Sequence, residues 1–73
     1  MNRGDIFELI PYREENIKFR AIVLDSEDSH YLCYAQNRLI VVSKDMEIEK
    51  VLCDYCVIPE ADVKLEEYEE SRK

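Results

Sequence analysis

The chain has 73 residues, and its 17 acidic and 10 basic side chains give a formal net charge of −7. So short a chain forms one domain with a small core, and its charge disfavours nucleic acid or an anionic membrane as a direct partner. No apolar run approaches the ~20 residues of a membrane span, and no signal peptide is recognisable, so we expect a cytoplasmic protein.

The apolar pattern of the first part of the chain is typical of β-strands. Residues 5–10 form a short strand candidate that ends at Pro11, and residues 17–25 alternate apolar and polar side chains as a half-buried strand does. One face of this second strand begins polar and ends apolar, which indicates a strand that bends. The turn that follows, residues 25–29, holds three carboxylates, and its Asp and Ser side chains suit local hydrogen bonds to the backbone.

Residues 30–36 and 38–43 are predicted to form a hairpin. The first strand is rich in Tyr, and the second contains the β-branched run that is the strongest strand signal in the chain. Asn37 tolerates the left-handed conformation that a tight hairpin requires. Together with residues 17–25, these segments predict a three-stranded antiparallel meander.

The last third of the chain is less regular. We interpret residues 51–58 as a strand, preceded by a second short strand or a helical turn. A helix over residues 45–56 is the rival interpretation, and the β-branched ending favours the strand. Pro59 closes the segment, and residues 60–73 then form an acidic helix or tail. The predicted organisation is a β-domain over residues 1–59 followed by this C-terminal element.

Four features follow one another along the chain. The chain opens with Arg3-Gly4-Asp5-Ile6-Phe7 and continues with a long strand into an acidic turn. A Tyr-rich return strand comes next, and Tyr55-Cys56-Val57-Ile58-Pro59 follows late in the chain. This arrangement, which covers most of residues 3–59, resembles small bacterial and phage SH3-like β-barrels. The resemblance implies a mainly β fold, a small antiparallel five-stranded SH3-like barrel or curled sheet. Functions on such barrels range from RNA binding to protein binding and inhibition, and the basic surface of the RNA-binding members is missing here.

The cysteines and the one histidine offer a candidate metal set. Three cysteines, an odd number, argue against a secreted disulfide framework and for a reducing compartment. A zinc site needs four ligands, and the candidates are His30, Cys33, Cys53 and Cys56. Both pairs lie in strand-like sequence, where residues i and i+3 point to opposite faces, so we expect packing thiols, no metal and no cofactor. A redox role for the C-x-x-C pair is disfavoured too, because such motifs sit at a helix N-terminus.

The sequence has no arrangement typical of an enzyme. Its one His has no recognisable nucleophile beside it, and its one Gly cannot form a phosphate-binding loop. We therefore expect a non-enzymatic acidic module that binds a protein, as an inhibitor or adaptor of the kind that phages and mobile elements encode. Its acidic surface would imitate nucleic acid and occupy a basic, nucleic-acid-binding surface of the partner.

The first-choice binding site combines the acidic turn with its aromatic neighbours. Its residues are Glu27, Asp28, Tyr31 and Tyr34. Because Tyr31 and Tyr34 cannot share one face of a regular strand, we expect at least one of them to face solvent. The second-choice patch consists of the C-terminal acids Glu66, Glu67, Glu69 and Glu70. Deletion of residues 60–73 would distinguish the two sites.

Two other functions remain open at this point. One is a homo-oligomer that binds a small, nucleotide-like anion through its basic side chains, namely Arg13, Lys18, Arg20 and Arg38. The other is a small domain stabilised by zinc. A homodimer is also expected, because the edge strands of so small a sheet invite pairing.

Overall fold

Five antiparallel strands form one sheet, and a helix follows them. The strands pair in chain order, so the sheet is a meander. The elements are β1 (Ile6–Leu9), β2 (Phe19–Ser26), β3 (His30–Ala35), β4 (Arg38–Ser43), β5 (Ile48–Cys53) and α1 (Pro59–Ser71). This computed structural model describes residues 1–9 and 19–71. The prediction of a mainly β fold with a C-terminal helix is confirmed, in the form of an open sheet rather than a closed barrel.

The hairpin between β3 and β4 turns at Gln36 and Asn37, so the prediction of Asn37 as a turn residue is confirmed and β3 ends one residue earlier than predicted, at Ala35. Gln36 and Asn37 have positive φ angles of 49° and 60°. Two successive left-handed residues form the turn whose twist matches that of the flanking strands. The turn fixes a register in which Ala35 pairs with Arg38. Predicted strand residues 10, 17 and 18 lie outside the described residues.

Strand β5 lies earlier in the chain than the sequence predicted. The predicted strand at residues 51–58 is confirmed for residues 51–53 and wrong for residues 54–58, because β5 is Ile48–Cys53. The rival prediction of a helix over residues 45–56 is wrong. The last pair of the ladder joins Cys53 to Leu39, and β4 begins one residue earlier, at Arg38. Because β4 begins at Arg38, residues after Cys53 have almost no strand left to pair with, and the chain leaves the sheet there.

One face of the sheet curls around its own apolar side chains. The buried members of this cluster are Leu9, Ala21, Val23, Tyr31, Cys33, Ala35, Ile40 and Val42. Phe7 of β1 and Ile48 of β5 pack against the same cluster, although they come from opposite edges of the sheet. Such contacts require the sheet to curl, and a bulge between Val23 and Asp25 in β2 provides the bend that the pattern of this strand predicted.

Helix α1 covers part of the other face. Its Ala61 is buried against Ile22 and Tyr34, and Leu65 packs at the margin of the same cluster. The small side chain of Ala61 allows the helix to approach β2 closely. No helix within the described residues is long and apolar enough to cross a bilayer.

Candidate functional site

A groove of about 400 Å³ lies between helix α1 and the β1–β2 edge of the sheet. We call it the acidic groove. Its lining residues are Glu8, Arg20, Gln36, Asp62, Leu65, Glu66 and Glu69. Four of these residues are carboxylates and one is a guanidinium, so the lining has a formal charge of −3. Three of the carboxylates come from α1, where the i, i+4, i+7 spacing of residues 62, 66 and 69 puts them on one helix face.

The one basic side chain of the acidic groove is already engaged. Arg20 Nη1 donates a direct hydrogen bond to Glu69 Oε1, and its guanidinium lies 5.4 Å from the centre of the Tyr68 ring. Its Nε is buried and has no hydrogen-bond acceptor within the described residues. Arg20 thus contacts both Glu69 and Tyr68, and with four carboxylates against one guanidinium the groove lining has an excess of negative charge.

The hydroxyl of Tyr34 connects the floor of the acidic groove to the sheet. It lies 2.9 Å from Asp62 Oδ1 and 3.0 Å from Asn37 Oδ1, and the carbonyl oxygen of Cys56 is 3.4 Å away. Desolvation, followed by the hydrogen bond to Asp62, raises the pKa of Tyr34. The hydroxyl therefore stays protonated and holds Asp62 in the position from which it lines the groove.

The first-choice binding site is divided by the fold. Glu27 and Asp28 are exposed in the turn between β2 and β3. The rings are not: Tyr34 is 0% and Tyr31 8% exposed. The expectation that one of the two faces solvent is wrong, because α1 covers Tyr34 on one face and the curl of the sheet buries Tyr31 on the other. Glu27 is also in contact with His30, whose Nε2 lies 2.9 Å from Glu27 Oε2.

Tyr31 has contacts of its own at the rim of the curled face. Its hydroxyl accepts a hydrogen bond of 3.1 Å from the Met1 ammonium group, and the Lys44 ammonium lies 3.9 Å from the ring centre. The N-terminal ammonium, followed by Lys44, lowers the pKa of Tyr31. Tyr31 thus acts as a packing residue between two cations, and its ring is not available to a partner.

The second-choice patch is divided as well. Glu66 and Glu69 line the acidic groove. Glu67 lies on another side of the helix, in a shallow surface depression with Val63 and Lys64, and Glu70 lines neither cavity. The structure also adds Glu8 and Asp62 to the groove, which the sequence interpretation missed. The helical spacing from Asp62 to Glu69 is a signal that could have found one of them.

A second groove lies on the half of the sheet that α1 does not cover. Its volume is about 390 Å³, and its residues are Glu27, His30, Leu32, Val41, Glu49, Lys50 and Leu52. Its lining combines two carboxylates, Lys50 and His30 with apolar side chains. Exposed Leu52 is an extra residue in β5, because the register shifts between the pairs Leu39–Cys53 and Ile40–Val51. This groove has little net charge, which distinguishes it from the acidic groove.

The four candidate zinc ligands are not brought together. His30 and Cys33 lie on opposite faces of β3, and Cys33 is fully buried in the curled face, where desolvation raises its pKa to about 11. Among the described residues, no three His, Cys, Asp or Glu side chains form a cluster suited to a metal ion. Cys53 and Cys56 are not separated by the alternation of a strand, however, because β5 ends at Cys53.

The basic residues suggested for an anion site are also apart. Arg20 contacts Glu69, and Arg38 Nε, at the start of β4, lies 3.2 Å from Asp54 Oδ1. Arg13 and Lys18 lie outside the described residues. Each described member of this set thus faces a carboxylate.

The description of both grooves depends on their own residues. Comparison of the chain with protein-family models, with curated protein sequences and with solved structures found no match.

Proposed function

We propose that this protein is a non-enzymatic, acidic protein-binding module, an inhibitor or adaptor that occupies a basic, nucleic-acid-binding-type surface of its partner. The observation that supports the proposal best is the acidic groove, where carboxylates from β1 and α1 line one cavity and its one guanidinium is paired to Glu69. A groove of this size and charge is complementary to a protruding Lys or Arg side chain of a partner.

The proposal locates the main contact at the acidic groove rather than at the acidic turn. Burial of Tyr31 and Tyr34 leaves the turn without exposed aromatic anchors, which dominate the energetics of many interfaces. Leu65 lines the groove together with the carboxylates, so a basic side chain can contact it with its aliphatic stem as well as pair its charge. Glu27 and Asp28 then serve in long-range attraction of the partner.

Charge reversal within helix α1 tests the proposal. The partner is captured from the source cells with the full chain, identified by mass spectrometry and purified for kinetic titration. Glu66→Lys adds a positive charge inside the acidic groove, and we expect it to weaken binding by at least about tenfold, chiefly through faster dissociation. Glu67→Lys is the matched control, because it makes the same change one residue away on a different side of the helix. We expect it to change the affinity by no more than about threefold.

Salt and competition complete the experiment. Association of the wild-type protein should slow as salt is added, and a nucleic acid that binds the partner should compete with the module. Equal loss of affinity in both helix variants would contradict the groove as the contact site. Loss through Glu27→Lys and Asp28→Lys alone would move the site to the acidic turn. A partner that binds equally at low and high salt would contradict the function itself.

A further inference from the structure

The end of β5 brings two cysteine thiols together. Cys53 is the last residue of β5, and the chain bends at Asp54 and Tyr55 before Cys56. Tyr55 has a positive φ of 58°, a conformation that a bulky side chain rarely adopts. The bend therefore places Cys56 beside Cys53 rather than on the opposite face of a strand. The side chains of Cys53 and Cys56 are neighbours, since, besides desolvation, the charge of Cys53 and its side-chain hydrogen bond contribute to the raised pKa of Cys56.

This bend is anchored to the β3–β4 hairpin. The backbone N–H of Cys56 donates a hydrogen bond of 2.7 Å to the carbonyl oxygen of Asn37, and Asp54 pairs with Arg38 at 3.2 Å. Both anchors use groups other than the two sulfurs, so they leave both thiols available for reaction. The two contacts hold the bend against the β3–β4 hairpin.

The three cysteines differ sharply in access. Cys53 is exposed, Cys56 is half-buried and Cys33 is fully buried. A reagent in solution therefore reaches the C-x-x-C pair and not Cys33. Tyr55, which separates the two cysteines in sequence, is 93% exposed, so its ring lies in solvent and is not packed over the thiols.

We propose that Cys53 and Cys56 form a redox-sensitive site that closes reversibly to an intramolecular disulfide by exchange with a small-molecule disulfide of the glutathione class. The proposal is independent of the protein-binding function. Exposed disulfides across a short segment are readily reduced, which suits a reversible modification rather than a permanent structural bond.

The exchange takes place in two steps. The thiolate of Cys53, the more exposed sulfur, attacks one sulfur of the small disulfide, whose S–S bond breaks and releases one small thiolate. Cys56 then loses its proton to water and attacks the Cys53 sulfur of the mixed disulfide, which expels the second small thiolate. Two electrons pass from the protein thiols to the small disulfide, and the two released thiolates take up two protons.

The order of the two sulfurs follows from their surroundings. Desolvation, with Cys53 close by, raises the pKa of Cys56, so its thiol stays protonated to higher pH. The thiolate, rather than the thiol, is the attacking species. Cys53 is thus the first nucleophile and Cys56 the resolving thiol.

Mass spectrometry of the full chain in glutathione redox buffers tests the proposal. With increasing oxidised glutathione, we expect the protein to lose two hydrogen atoms in mass, and peptide mapping to link Cys53 to Cys56. Cys33 should remain a free thiol throughout, and it should react with an alkylating reagent only after the protein is denatured. Cys56→Ser should stop at a glutathione adduct on Cys53. Persistent adducts on the wild-type protein, disulfide-linked dimers, or a dithiol that stays reduced throughout the series would each overturn the proposal.

Two variants at Tyr55 test the role of the bend. Tyr55→Gly and Tyr55→Pro both remove the ring, but only glycine can keep a positive φ, because proline fixes φ near −65°. At the same redox buffer, we expect the ratio of disulfide to dithiol to be at least about tenfold lower in Tyr55→Pro, because the effective concentration of the thiols falls. Circular dichroism verifies that both variants keep the sheet. Equal ratios in the two folded variants would contradict the role given to this backbone conformation.

Discussion

Tyr34 shows how one side chain links three parts of the molecule. Its ring is fully buried between the sheet and α1, while its hydroxyl reaches Asp62 on the helix, Asn37 in the hairpin turn and the carbonyl of Cys56. One proton cannot serve three acceptors at once, so the shortest contact, to Asp62, is the best candidate for the donated hydrogen bond. The residue expected to contact a partner instead holds the helix on the sheet.

Removal of the Tyr34 hydroxyl tests this role. Tyr34→Phe keeps the ring and leaves Asp62 without its donor, so we expect the free energy of unfolding to fall by about 1–2 kcal/mol. Tyr31→Phe is the control, because the Tyr31 hydroxyl interacts with the cationic groups of Met1 and Lys44 and does not connect α1 to the sheet. We expect this change to stay within about 0.5 kcal/mol. Urea unfolding measures both values, and equal effects would contradict the linking role of Tyr34.

At the scale of elements, the packing of α1 decides which surfaces remain open. The helix lies over Ile22 and Tyr34 through Ala61 and leaves Leu32 and Val41 to the second groove. Its apolar stripe is thin, so its position depends on close contact at a small residue rather than on a large buried area. Deletion of residues 60–73 would therefore expose the core beneath the helix, and charge reversal is the better test of the binding site.

Enlarging the contact residue of α1 should displace the helix. Ala61→Leu adds three carbon atoms where the wild-type side chain is 3% exposed, and we expect a cost of about 1–3 kcal/mol in the free energy of unfolding. Val63→Leu, on the outer side of the same helix and 52% exposed, should change it by no more than about 0.5 kcal/mol. Guanidinium unfolding provides the measurement. A tolerated Ala61→Leu variant would show that the helix does not depend on this contact.

At the scale of the whole molecule, two strands form the edges of the described sheet. β1 has four residues, whereas β5 has six and carries exposed Val51 and Leu52. Register shifts along the β4–β5 ladder distort the β5 edge, a device that limits uncontrolled strand pairing. Any self-association through β5 thus depends on its apolar side chains more than on a continuous ladder of hydrogen bonds.

The predicted homodimer can be tested at this edge. Light scattering of the wild-type protein should give twice the mass of one chain at high concentration, and Leu52→Lys should return it to one chain, because a charge would be buried in the contact. Val63→Lys adds the same charge to an equally exposed site on α1 and should leave the dimer intact. A wild-type mass of one chain at every concentration would show that the prediction of a dimer is wrong.

The sequence by itself determined the strand content and the local turns. Alternating apolar residues predicted β2, Tyr-rich sequence predicted β3 and a β-branched run predicted β4. Asn37 marked the hairpin, and all of these features depend on neighbours in the chain. The period-2 pattern failed at β5, whose extent depends on where its partner β4 begins. Apolar residues continue to Ile58, but a strand needs a hydrogen-bonding partner as well as an apolar pattern.

Only the tertiary structure decided which predicted site residues are available. Tyr31 and Tyr34 occupy alternate faces of β3, as the sequence indicated, yet both are buried because the curl of the sheet covers one face and α1 covers the other. Likewise, Glu8 joins Asp62, Glu66 and Glu69 only because α1 packs beside the β1–β2 edge. Burial and the meeting of distant carboxylates depend on contacts between elements, and no local pattern in the chain contains them.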